Sequence, residues 1–156
     1  MKPDSSSPIL ELYSQVDLNE ERLQWLEQRV NRSLPLVLEN PGTERPVLPG
    51  LEMVEMTLVT DETIAEVHGE FLDDPTPTDV ITFHHGEILV SEETARQVAS
   101  EYGKTTDEET LLYLIHGLLH LNGHSDLEET DRVEMHRIQE DILSRILSED
   151  ARNREP

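Results

Sequence analysis

The chain has no cysteine, which excludes disulfides and thiolate metal sites and leaves imidazole and carboxylate as the groups able to hold a transition metal. Basic residues are scarce as well. Twelve Lys and Arg stand against 34 Asp and Glu, a formal net charge of −22 at pH 7, and such a field repels a polyanion unless a local basic patch outweighs it. Between Arg45 and Arg132 only Arg96 and Lys104 are basic, so this stretch has little with which to grip phosphates. The same acidity also has a plain role in keeping a protein soluble. No apolar run approaches the roughly 18 residues of a membrane span, and residues 1–8 lack an apolar core of signal-peptide length. The expectation is a soluble cytoplasmic protein with no membrane partner.

What is present is enough for one domain. With 156 residues, 35% of them hydrophobic and 29% charged, the chain is apolar-poor, yet its apolar residues fall into periodic runs that disordered chains lack. Residues 1–8 and 149–156 are polar and read as tails around a single domain over 9–148. Asn19 caps a helix with Leu23, Leu26, Val30 and Leu34 at helical spacing, which Pro35 is expected to interrupt. Residues 40–50 are a Pro- and Gly-rich loop. Val54, Met56 and Leu58 alternate with polar residues in a strand over 53–60. A short helix follows with Ile64, Val67, His68 and Phe71 on one stripe. Two β-favouring runs, 79–83 and 87–90, flank His84-His85-Gly86 as a hairpin. Ser91 caps a helix ending near Gly103, and 106–109 read as a capping box opening a very apolar helix that Gly123 stops. A last helix turns Met135, Ile138, Ile142 and Ile146 inward. The class is α+β, a small sheet covered by helices.

The chemistry lies in His116-Gly117-Leu118-Leu119-His120-Leu121-Asn122-Gly123-His124-Ser125-Asp126. His116 and His120 are four residues apart in a helix and so project from one face a turn apart, a spacing that suits two imidazoles on one ion. Two histidines on a mostly buried helix also need partners. Gly123 lets the backbone turn sharply, so that a group beyond it can swing back. Asp126 is the first candidate for a third ligand, and His124 and Asp131 compete with it. Two imidazoles and a carboxylate leave a fourth position for water, an ordinary zinc site, with one Zn²⁺ per chain.

This run resembles the histidine motif of the YbeY family, bacterial endoribonucleases that resemble metzincin peptidases around their zinc. Pro77-Thr78-Asp79-Val80-Ile81-Thr82-Phe83 is similar to the family's Pro-Thr-Asp-Val-Leu-Ser-Phe, and Gly86-Glu87-Ile88 to its Gly-Asp-Ile strand. Together with the upstream strand and helix, these span 51–126. The resemblance implies a mixed four-stranded sheet packed with helices and a zinc site on a central helix and its following turn. It also implies single-strand endoribonuclease activity in ribosomal RNA maturation, at the 16S 3′ end, and in ribosome quality control, with ribosomal RNA and the small ribosomal subunit as partners. It carries ligation onto His116 and His120. The third family ligand is usually histidine where this chain has Asp126, and His124 stands where the family usually has tyrosine. The family's arginine, five residues before Pro77, is Leu72 here, which removes a phosphate-gripping guanidinium.

Zinc peptidases carry glutamate after the first histidine as general base, and Gly117 stands there instead. Catalysis then rests on His116 and His120 through the metal and its water, with no separate general base identified; Glu87 is a carboxylate that the sheet could offer. Gly117 is expected to open the approach to the metal. Two other readings are a zinc peptidase-like hydrolase and a non-catalytic, metal-stabilised module that docks on the ribosome. His68, Thr78 and Asp79 are candidates for the substrate cleft. His84 and His85 read as exposed turn residues, and His136 as a surface residue or one that supports a ligand.

Overall fold

Four strands form one mixed sheet in the computed structural model, which describes residues 7–72 and 78–153. The elements run β1 (Ile9–Ser14), α1 (Glu20–Leu38), β2 (Met53–Val59), α2 (Asp61–Leu72), β3 (Val80–Phe83), β4 (Glu87–Ser91), α3 (Glu92–Glu101), α4 (Thr106–Leu121) and α5 (Glu129–Asn153), with a 3-10 turn at Leu48–Gly50. The strand order is β1-β2-β4-β3. β1 and β4 each pair parallel with β2, and β3 returns antiparallel to β4. The α+β class and the small mixed four-stranded sheet are thus as expected.

Alternation along the strands decides the layers. Leu10, Leu12, Val54, Met56, Leu58, Ile88 and Val90 point to one face, where they join the buried residues of α1, α4 and α5 in one core. Val59, Ile81 and Leu89 point to the other, where they meet Ile64 of α2 in a smaller cluster. Helix α4 is apolar on nearly every side, with Leu111, Leu114, Ile115, Leu118 and Leu119 fully buried. Gly117 lies between it and the sheet. A Cβ there would stand 2.7 Å from Ile88 Cγ2, so this glycine serves close helix–sheet packing and does not open the metal's approach.

Other differences from the sequence reading each have a physical cause. The sequence reading contains no strand over 9–14; β1 is a short edge strand, and its alternation is completed only by register with β2, Leu10 beside Val54 and Leu12 beside Met56. Pro35 does not end α1, which continues to Leu38 because Leu34 and Val37 are buried on both sides of it. The capping box is one residue earlier than expected: Thr105 Oγ1 accepts from Glu108 N at 3.0 Å, and Glu108 accepts from Thr105 N at 3.1 Å. Residues 149–153, expected as tail, are the end of α5, where Asp150 receives Arg29 at 2.8 Å and Arg32 at 2.7 Å. Of the other positions read from sequence, 1–6, 154–156 and Pro77 lie outside the described residues, as does the side chain of Leu72. Among the described residues no helix is long and apolar enough to cross a membrane.

Candidate metal centre

The turn after α4 is built by two glycines. Gly123 has φ +95°, and a Cβ on it would come within 2.4 Å of Glu44 O. Gly42 faces it, with room for a Cβ denied by Gly123 O at 2.1 Å. Strand-like bonds lock the two segments together, Gly42 N to Asn122 O at 3.0 Å, Glu44 N to Gly123 O at 3.0 Å and Val47 N to Leu121 O at 2.8 Å. The loop that looked structureless in sequence is therefore the clamp on the turn that presents Asp126.

His116, His120 and Asp126 each offer a ligand atom, and these atoms all lie within 4.8 Å of one another. The two Nε2 atoms are 3.0 Å apart, and Asp126 Oδ2 is 3.6 Å from one and 3.5 Å from the other. Donors at about 2.0–2.1 Å from a tetrahedral zinc lie about 3.3 Å from each other, so the triangle fits one such ion. The outer nitrogens are committed elsewhere. His116 Nδ1 donates to Gln139 Oε1 at 2.7 Å, and His120 Nδ1 donates to the His124 carbonyl at 3.0 Å. Each bond holds the tautomer whose Nε2 lone pair faces the centre.

Two lone pairs facing each other at this distance repel unless a proton or a cation lies between them, and the protonation equilibria show the strain. Burial pushes His116 down, but hydrogen bonds to Asp126 and Gln139 outweigh it and leave its pKa raised. His120 is lowered by burial and by the charge of His116. The hydrogen bond with His116, opposed by burial and aided by the charge of His120, brings Asp126 down to about 2. The carboxylate is ionised and the imidazoles compete for one cation.

The competing ligands point elsewhere. His124 is buried, and its Nε2 donates to the Asn40 carbonyl at 2.6 Å, pinning the clamp loop to the turn. Asp131, on the first turn of α5, is not in the cluster. Of the cleft candidates, Asp79 lines a groove of about 450 Å³ together with His116, Tyr113, His136 and Gln139. Tyr113 there has its phenol pKa raised by burial and by the carboxylates of Glu109 and Asp79. Thr78 is half-buried beside Asp79, and His68 is half-buried on α2. His84 and His85 are exposed in the β3–β4 turn, and the charge of His84 reaches His120. Glu87 alternates with Ile88 and so faces away from α4, bonded to His85 at 3.3 Å. Sequence reasoning missed Gln139. Its only signal was an amide on the apolar stripe of α5, where a buried polar group needs a partner.

A family model described as endoribonuclease YbeY matches residues 15–147. The chain belongs to the YbeY family. The endoribonuclease YbeY of Protochlamydia amoebophila is 42% identical over 89 residues, 50% of this chain and 59% of that protein. That of Nautilia profundicola is 36% identical over 101 residues, 60% of this chain and 71% of the relative. That of Desulfitobacterium hafniense is 31% identical over 139 residues, 78% and 83% respectively. The solution structure of TM1509 from Thermotoga maritima matches with a TM-score of 0.64 at 25% identity over 94% of both chains.

Proposed function

We propose that this YbeY-family protein is a zinc-dependent endoribonuclease that cuts single-stranded RNA, at the 3′ end of 16S ribosomal RNA, in maturation and quality control of the small ribosomal subunit in the cytoplasm. The observation that carries the metal reading is the pair of imidazole lone pairs aimed at one point 3.0 Å apart beside an ionised carboxylate. His116 and His120 would hold the ion through Nε2 and Asp126 through its carboxylate. When bound, zinc supplies a Lewis acid that polarises a phosphoryl oxygen and lowers the pKa of water to about 7. The chain's own part is positional: Gln139 and the His124 carbonyl fix both imidazoles, and the Gly42–Gly123 clamp fixes Asp126. His68, Thr78 and Asp79 shape the cleft. Peptide cleavage is disfavoured, because Gly117 occupies the place of the peptidase glutamate and is packed on Ile88.

Purified without chelator, the protein is expected to hold about one zinc per chain and the His116→Ala, His120→Ala variant to hold none, by elemental analysis. Asp126→Ala should weaken zinc more than His124→Ala, and Gln139→Ala should weaken it by about 10- to 100-fold. Single-turnover cleavage of a 16S 3′-end fragment should vanish in His116→Ala. Undiminished cutting there would mean contamination and would favour a ribosome-docking module; Leu72→Arg should raise cleavage by adding a guanidinium.

A further inference from the structure

The gap left by Leu72 is answered from a different element. On α5, Gln139 holds His116 at 2.7 Å, and His136 lines the same groove as His116. Arg132 lies one turn before His136 and seven residues before Gln139, so the three share a stripe of the helix that faces the centre. Its Nη1 is 3.5 Å from the carbonyl oxygen of Asp126, the residue whose carboxylate completes the triangle. That contact is at the outer limit of a hydrogen bond, and Arg132 is exposed. Glu128, Glu129, Asp131 and Glu134 flank it in sequence, yet among the described residues no carboxylate forms an ion pair with it, whereas Glu134 is taken by Arg137 at 2.5 Å. The guanidinium is therefore at the rim of the site, weakly held and free to turn.

Two cations of α3 and of the segment after it are committed. Arg96 is gripped by both oxygens of the buried Glu92, and Lys104 is within 4.0 Å of Glu109. In a protein with a net charge of −22, an arginine with no carboxylate partner among the described residues, resting on the backbone of the third candidate ligand, demands a reason. We propose that Arg132 is the phosphate-binding residue of this site, taking from α5 the part that an arginine at position 72 would play from α2. Its planar fork would receive two non-bridging oxygens of the RNA phosphate seated at the metal and counter the charge that develops there. This inference rests on the endoribonuclease reading.

The test compares Arg132→Ala and Arg132→Gln with the wild type. Glutamine keeps a donor for the Asp126 carbonyl but no charge, so it separates phosphate binding from support of the turn. Binding of a labelled single-stranded RNA is read by fluorescence anisotropy across a salt series, with zinc content and melting temperature measured alongside. Both variants should keep wild-type zinc and melting temperature and weaken RNA binding by about tenfold at low salt, with the slope of log K against log salt shallower by about 0.7, one phosphate contact. Cleavage should fall further than binding, through kcat. Unchanged affinity and slope in both variants would overturn the assignment, as would loss of zinc in Arg132→Ala that Arg132→Gln restores. Because binding is measured without turnover, a wild type that never cuts would count against the endoribonuclease reading alone, while the anisotropy would still decide the role of Arg132.

Discussion

On one face of the sheet α1, α4 and α5 enclose a continuous core, while on the other Ile64 of α2 packs on the small cluster of Val59, Ile81 and Leu89. Beyond that smaller cluster, register sets Glu11, Glu55 and Glu87 side by side across three strands. The candidate ligands all come from the densely packed side, where α4 carries the imidazoles and α5 orients one of them through Gln139. A metal site needs donors held to fractions of an ångström, and a core without spare volume supplies that rigidity. The thin side carries His68 on α2, whereas Thr78 and Asp79 precede β3 at the edge of the sheet, where Asp79 lines the groove shared with His116 and Gln139.

Core truncations are the strongest way to break this comparison. Leu118→Ala, in the thick layer, should cost about 4 kcal/mol, against about 2 kcal/mol for Ile64→Ala in the thin one, by denaturant unfolding. Equal losses would erase the distinction. Next is the contact between α4 and the sheet: Gly117→Ala should cost about 2 kcal/mol through its clash with Ile88, and less than about 1 kcal/mol when measured in an Ile88→Ala background. A cost that survives the removal of Ile88 would mean the glycine has another role.

A third probe concerns the ion pairs that tie the end of α5 to α1. Burial pushes the Asp150 carboxyl up, but hydrogen bonds from Arg32 and Arg29 outweigh it and leave its pKa lowered. A lowered native pKa means stability that is fully present above the unfolded value of about 3.9 and is lost as pH falls through the native one. Asp150→Asn should therefore cost about 1–2 kcal/mol at pH 7 and progressively less below about pH 4. A penalty that stays constant down to pH 2 would remove the carboxylate from the explanation. The smallest effect is a gain on the thin side: Glu55 has a carboxylate beside it on both neighbouring strands, so Glu55→Thr should stabilise by about 0.5 kcal/mol, and more at low salt.

The elements most legible in sequence were those whose signals are local. Asn19 accepts from Arg22 N at 2.8 Å and Ser91 from Thr94 N at 3.2 Å, both caps where side-chain chemistry placed them. Met135, Ile138, Ile142 and Ile146 are all buried as their spacing required. Where structure and expectation differ, a distant partner decides the outcome. β1 needs β2 to complete its pattern, Pro35 is carried by the packing of its neighbours, and the C-terminal residues are helical because two arginines of α1 hold Asp150.

For the candidate site the division is similar. Sequence alone determined that His116 and His120 share a helix face, because the period of an α-helix fixes side-chain direction within a few residues. It also determined that the chain turns sharply after them, because a glycine at position 123 readily takes the left-handed backbone on which helices end. Only the tertiary structure decided which group returns. His124 is diverted to the carbonyl of Asn40, 84 residues away along the chain, and Asp126 is left facing both imidazoles. The tautomer of His116, its support from Gln139 and the position of Arg132 at the rim likewise depend on how α5 packs across α4. Such contacts join segments that no local pattern relates, since they follow from the filling of a shared core and not from the period of any one element.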